Sequence, residues 1–156
     1  MSNKRWEFTG ETKINFGVTL KRIRASAEFR LKCGIVIRKG ELGGWIEKES
    51  NLSDNAWVSD NALAYGNARV SDNAWVYDNA LVYGNARVCG NARVCCNAWV
   101  SGNAWVYGNA WVYDNAWVYG NARVCGNARV YGNAWVYGNA EIKSSKDYCV
   151  YKNTWP

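Results

Sequence analysis

Histidine is absent from the 156 residues, and proline occurs once, as Pro156. Without imidazole the chain lacks the side chain that most often serves as a base near neutral pH or as a neutral metal ligand. Phenylalanine is scarce, and its three copies, Phe8, Phe16 and Phe29, all fall in the first 44 residues. Long apolar runs are missing too, which excludes a membrane-spanning helix. The opening MSNKRWEFTGE carries no apolar segment of the kind that directs secretion. The expectation is a cytoplasmic protein with no membrane association. The six cysteines do not suggest a disulfide framework. Cys89, Cys95, Cys96 and Cys125 occupy slots that Ser, Tyr, Gly or Asp fill elsewhere, which is interchangeable filling.

The chain is instead rich in Trp and Tyr, ten of each, and its net charge is +6. Residues 1–48 hold 11 Lys/Arg against 5 Glu, which leaves 8 of each sign for the rest. The positive field belongs to the N-terminal segment, and the remainder is neutral.

Asn recurs every six residues from Asn55 to Asn139, fifteen times without a gap, and Ala follows it each time. The unit is Asn-Ala-x-Val-y-z. Position x is Trp, Arg or Leu, y is Tyr, Ser or Cys, and z is Gly or Asp, once Cys96. Ala and Val, two apart, point to one side of a strand, while x and y point to the other. Gly-Asn and Asp-Asn are turn chemistry. Each unit is therefore one short strand and one corner. A lone strand cannot bury its Val, so the units must stack. The fold expected is all-β: a left-handed parallel β-helix, triangular, with eighteen residues per coil and about five to six coils. Asn residues eighteen apart should stack and link their amides along the axis. The expected divisions are a small N-terminal β cap at 1–44, the helix at 45–144 and a capping tail at 145–156. In the cap, Arg5–Phe8, Lys13–Asn15 and Val18–Ala25 read as short strands, and the three Phe residues suggest a separate small core. In the tail, Tyr148, Val150, Tyr151 and Trp155 can cover the last coil.

The aliphatic residue followed four places later by a small one, as in Val58–Ala62, Val70–Ala74 and Val118–Ala122, resembles the hexapeptide-repeat class of left-handed β-helices. The N-terminal stretches Trp6–Lys13, Val18–Ala25 and Gly40–Glu47 resemble a group of bacterial and prophage hexapeptide-repeat proteins. Some of these are described as transferases without a demonstrated activity. The resemblance implies a bacterial or phage setting and supplies no catalytic residue. The best-known enzymes on this fold use histidine as a base or as three metal ligands, and this chain has none. No catalytic residue, cofactor or metal is expected. An acyltransferase-like activity lacking the usual base is the remaining enzymatic alternative.

The unbroken register assigns outward residues to faces. On the first, Leu63, Tyr65, Leu81, Tyr83, Trp99, Trp117, Tyr119, Trp135 and Tyr137 line up without a charge. So much apolar area needs a cover: a second copy, residues 1–44, or a foreign partner. The second face begins with Asn51 and continues through Arg69, Arg87, Trp105, Arg123 and Glu141. The third mixes Trp57, Trp75, Arg93, Trp111 and Arg129. On these two faces Arg beside an aromatic ring can remain solvated. Stacked corner carboxylates, Asp54 over Asp72 and Asp60 over Asp78, could hold a cation, but turn propensity explains them more simply. The leading functional expectation is a non-catalytic interaction scaffold, self-associating as a dimer or trimer through the first face. Its narrower form is a phage-borne protein that binds and inhibits a host defence factor. The alternative is nucleic-acid binding through Lys21, Arg22, Arg24, Arg38 and Lys39, with aromatic stacking.

Overall fold

The computed structural model describes residues 4–144. The first strands are β1 (Trp6–Asn15), β2 (Val18–Ala25), β3 (Phe29–Arg30), β4 (Val36–Ile37) and β5 (Leu42–Ile46). After a 3-10 turn at Glu49–Asn51 come fifteen two-residue strands, β6 (Trp57–Val58) to β20 (Glu141–Ile142). Each strand is the x-Val pair of one repeat, or its Leu-Ala or Glu-Ile equivalent. Successive strands enter three different parallel sheets, so each strand pairs with the one eighteen residues later. Two of those sheets have five strands, which makes the protein a β-solenoid of about five turns.

The interior is as the repeat requires. The Val and Ala of each unit from Ala56 to Val136 are buried and form one continuous column. Three backbone N–H groups per unit donate to the next coil, as with Trp57 to Ala74, Ser59 to Val76 and Asn61 to Asp78. The Ala N–H closes the corner onto the y carbonyl three residues back. Every corner z residue from Asp54 to Gly138 has positive φ, and the non-glycine corners, five Asp and Cys96, lie between 57 and 66°. Asp tolerates that region best among ordinary residues, and Gly at no cost. One of the three expected Asn columns is linked throughout, Asn67 donating to Asn85, Asn85 to Asn103, Asn103 to Asn121 and Asn121 to Asn139 at 3.1–3.2 Å; among the described residues a second is linked in pieces and the third only from Asn97 to Asn115.

The N-terminal segment differs from the expectation. Strand β1 is one ten-residue strand with a bulge between Phe8 and Thr12, not two short ones. It pairs antiparallel with β2 across a tight turn at Phe16-Gly17, both at positive φ. Strand β2 pairs antiparallel with β5, and β5 pairs in parallel with Leu63–Ala64. The hairpin thus extends the first sheet, and β5 itself crosses the expected boundary at residue 44. There is no separate phenylalanine core. Phe29 packs edge-on against Trp57, Phe8 against Trp6, and both join the Val/Ala column. Phe16 stays in solvent, 66% exposed. The first coil's outward Trp57 ring is fully buried, with Phe29 packed edge-on against it, in the same core as Leu31 and Ile37. Asn51 is also not outward: it is fully buried. Its side chain accepts from Glu47 and Lys48 N–H and donates to the Gly66 and Ala68 carbonyls, so no polar atom is stranded. The tail residues Tyr148, Val150, Tyr151 and Trp155 lie outside the described residues.

At the entry to the first coil, Gly43 and Gly44 sit against neighbouring backbone. A Cβ on Gly44 would stand 2.7 Å from the Ala62 carbonyl oxygen and 2.9 Å from a Val58 methyl. Gly44→Ala should therefore overpack this end and cost about 1–3 kcal/mol, read as a lower urea midpoint with the β-type circular dichroism retained.

Candidate interaction face

The first sheet presents two outward columns, x and y, and the structure divides them into a covered and an open half. At the covered end the β1–β2 hairpin bends over the face. Leu20 is buried against Trp45, Leu63 and Leu81, with Val18, Tyr65 and Tyr83 packed beside them. Lys13 Nζ lies 4.4 Å from the Trp45 ring centre, and Arg22 stacks on the same ring at 5.6 Å. Leu63 is only 2% exposed and Leu81 8%. These two were expected to be available on the surface; instead they belong to a contact within the chain. The apolar hairpin residues supply the cover their sequence position demands.

Trp99 packs half-buried against the end of this cluster, and beyond it the described residues leave the x column exposed. Trp117 is 37% exposed and Trp135 50%. Because x residues repeat every eighteen positions, the rings pile along the axis. Trp99 and Trp117 stack at 4.7 Å with planes 3° apart, and Trp117 and Trp135 at 5.7 Å and 13°. The y column does the same in two pieces: Tyr65 on Tyr83 at 5.2 Å, and Tyr119 on Tyr137 at 5.4 Å. Phe16 extends the first piece by stacking on Tyr65 at 6.3 Å. Burial raises the Tyr65 and Tyr119 hydroxyls above their usual pKa, with a smaller push from the neighbouring Tyr83 and Tyr137.

The basic N-terminal residues do not form a free cationic patch. Arg24 pairs with Glu7 at 2.7 Å, Arg22 with Glu11 at 3.4 Å and Arg38 with Glu28 at 3.7 Å. Lys21 sits over the Phe8 ring at 5.2 Å, and Lys39 is exposed. Arginines on the other faces behave as expected of solvated faces. Arg87 and Arg123 flank the Trp105 ring, and Arg93 and Arg129 flank Trp111, at 5.3–5.8 Å.

The corner carboxylates cap the next coil. Asp54 accepts from the Asp72 N–H, Asp60 from Asp78, Asp72 from Gly90 and Asp114 from Gly132. Asp78 instead joins a group that sequence reasoning had not assembled. Its carboxylate and the thiols of Cys95 and Cys96 all lie within 4.8 Å, and the two sulfurs are 2.9 Å apart. The signal was available, since Asp78 and Cys96 are corner residues one coil apart. These three side chains could reach one metal ion, but burial, aided by the adjacent Cys96, pushes the Cys95 thiol up to about 11. That opposes the thiolate a metal requires. Cys89 accepts a hydrogen bond from the Trp105 indole at 3.2 Å, a local use of the thiol.

The family model "YdcK Beta solenoid repeat" matches residues 65–78, 74–89, 86–102, 98–114, 104–120 and 122–138. This is the stretch in which every coil repeats the one before it, and it defines a β-solenoid repeat protein. No curated protein matches the chain. No helix among the described residues is long and apolar enough to cross a membrane.

The raised thiol gives a direct test. At pH 8, iodoacetamide should leave Cys95 largely unmodified in the folded protein, read by peptide mass mapping. Raising the pH through 11 should ionise it, and because the folded-state value lies above the ordinary thiol value, that ionisation should weaken the fold.

Proposed function

We propose that this β-solenoid is a non-catalytic interaction scaffold that self-associates through the open half of its aromatic face. The observation that carries the reading is the pair of stacked indoles Trp117 and Trp135, both exposed among the described residues, which continue the ring stack from Trp99. Large exposed aromatics in one apolar patch are costly in water and are enriched where proteins meet. The hairpin tip adds apolar area, with Ile14 74% exposed and Phe16 held at φ 52°, a conformation unfavourable for a bulky residue. The absence of histidine supports a non-catalytic role over an acyltransferase-like one. The resemblance to hexapeptide-repeat proteins supports a left-handed, triangular winding. Its prophage members support a narrower form, in which a phage-borne chain occupies and inhibits a host factor.

Trp117→Arg with Trp135→Arg would place two charges in the open half. Both side chains point away from the Val/Ala column, so the fold should persist. Burying unpaired charge in a contact costs several kcal/mol, and each 1.4 kcal/mol is about tenfold in affinity. Sedimentation should show the wild type as a dimer or trimer and the double variant as a folded monomer. A monomeric wild type would overturn self-association.

The nucleic-acid reading has less support, because Arg22, Arg24 and Arg38 are each matched to a carboxylate. A labelled single-stranded oligonucleotide should show no steeply salt-dependent binding at low salt. Such binding, lost when Lys21, Arg22 and Arg24 are all changed to Glu, would reverse the preference.

A further inference from the structure

The y column of the first face is a ladder of tyrosines with one rung missing. Tyr65 and Tyr83 stack, Tyr119 and Tyr137 stack, and between them the repeat supplies Ser101 instead of a ring. The result is a cavity of about 290 Å³ lined by Tyr83, Trp99, Ser101, Trp117 and Tyr119. We infer that this slot is a binding site for one small, uncharged, planar aromatic molecule, of the size of a phenol or an indole.

The spacing is what makes the slot selective for a flat ring. Tyr83 and Tyr119 are two coils apart, and at ~4.8 Å per strand this is ~9.6 Å. A ring placed midway lies ~4.8 Å from each neighbour, inside the ~4.5–7 Å range that aromatic pairs prefer. The chain's own rungs, at 5.2 and 5.4 Å, are built on that step. A puckered saturated ring is too thick for it. Trp99 and Trp117, parallel to within 3°, form the side wall, each set edge-to-face against its neighbouring rung, Trp99 on Tyr83 at 6.3 Å and Trp117 on Tyr119 at 6.5 Å, and they keep water from one flank of the guest. No charged side chain lines the slot, so a charged ligand would lose hydration without compensation. At the base, the Ser101 hydroxyl makes no hydrogen bond among the described residues. It is placed to meet a hydroxyl or N–H on the inner edge of the ring.

Titration of the wild-type protein with 4-methylphenol, followed by NMR, should give saturable upfield ring-current shifts of the ligand protons. Cyclohexanol should give none. Ser101→Tyr restores the rung from within the chain. It should fold, melt at or above the wild-type temperature and weaken 4-methylphenol binding at least tenfold. Equal binding of cyclohexanol, unchanged binding in the Ser101→Tyr variant, or failure of that variant to fold would each overturn the slot. If the wild type ignores 4-methylphenol while Ser101→Tyr dissociates its oligomer, the small-molecule site is overturned and the slot belongs to a ring of a second copy. The slot lies on the face proposed for self-association, since Trp99, Trp117 and Tyr119 line it, so 4-methylphenol and a second copy should compete for it. A monomeric wild type that binds 4-methylphenol would overturn self-association alone.

Discussion

Each coil donates its backbone N–H groups to the coil eighteen residues later, and the interior between the sheets is a column of Val and Ala, with Ile46, Leu52 and Ile142 in the end coils. These two constraints hold each other in place. The hydrogen bonds cannot slip by one residue without turning Val outward, and the Val column cannot form unless every corner closes in six residues. The corners close because each carries Gly, Asp or, once, Cys at positive φ, followed by Asn. Stacked carboxylates and amides then satisfy corner groups that a single coil would leave to water. Little of this depends on any one residue, which is why x and y can vary so freely.

That freedom is where function can be written. The rigid stack places each outward side chain over its counterpart one coil away, so a substitution in sequence becomes a position on a column. Arg between aromatics gives a solvated face, as around Trp105 and Trp111. An unbroken run of aromatics gives a sticky one. A single Ser among tyrosines gives a slot whose width is fixed by backbone spacing and not by side-chain adjustment. The same geometry gathers Asp78, Cys95 and Cys96 into one corner, although burial of Cys95 keeps that thiol protonated.

The N-terminal segment has two tasks. It completes the first sheet through β2 and β5, and it shields the outward residues of the early coils. Leu20 covers Trp45, Leu63 and Leu81 on one face, while Phe29 packs on Trp57 on another. Among the described residues the outward surface of this face is therefore covered near the hairpin and more exposed at Trp117 and Trp135. A partner on the first face would meet the later coils and the hairpin tip together.

The sequence by itself determined the period, the inward Val and Ala, the corners, the stacking of Asn over Asn and, within the repeat from Asn55 on, the membership of each face. All of these follow from local geometry repeated at a fixed interval, so reading one unit reads them all. What only the tertiary structure decided lies where the period fails. Nothing local says that β1 is one bulged strand, that Asn51 turns inward to serve four backbone groups, or that Phe29 lands on Trp57 while Phe16 stays in solvent. Those outcomes depend on which distant surface the non-repeating segment meets, and such contacts leave no periodic trace in the chain. The split of the aromatic face follows from the same cause. Its residues were legible one by one, but the length of hairpin that folds over them was set by packing against Trp45, Leu63 and Leu81.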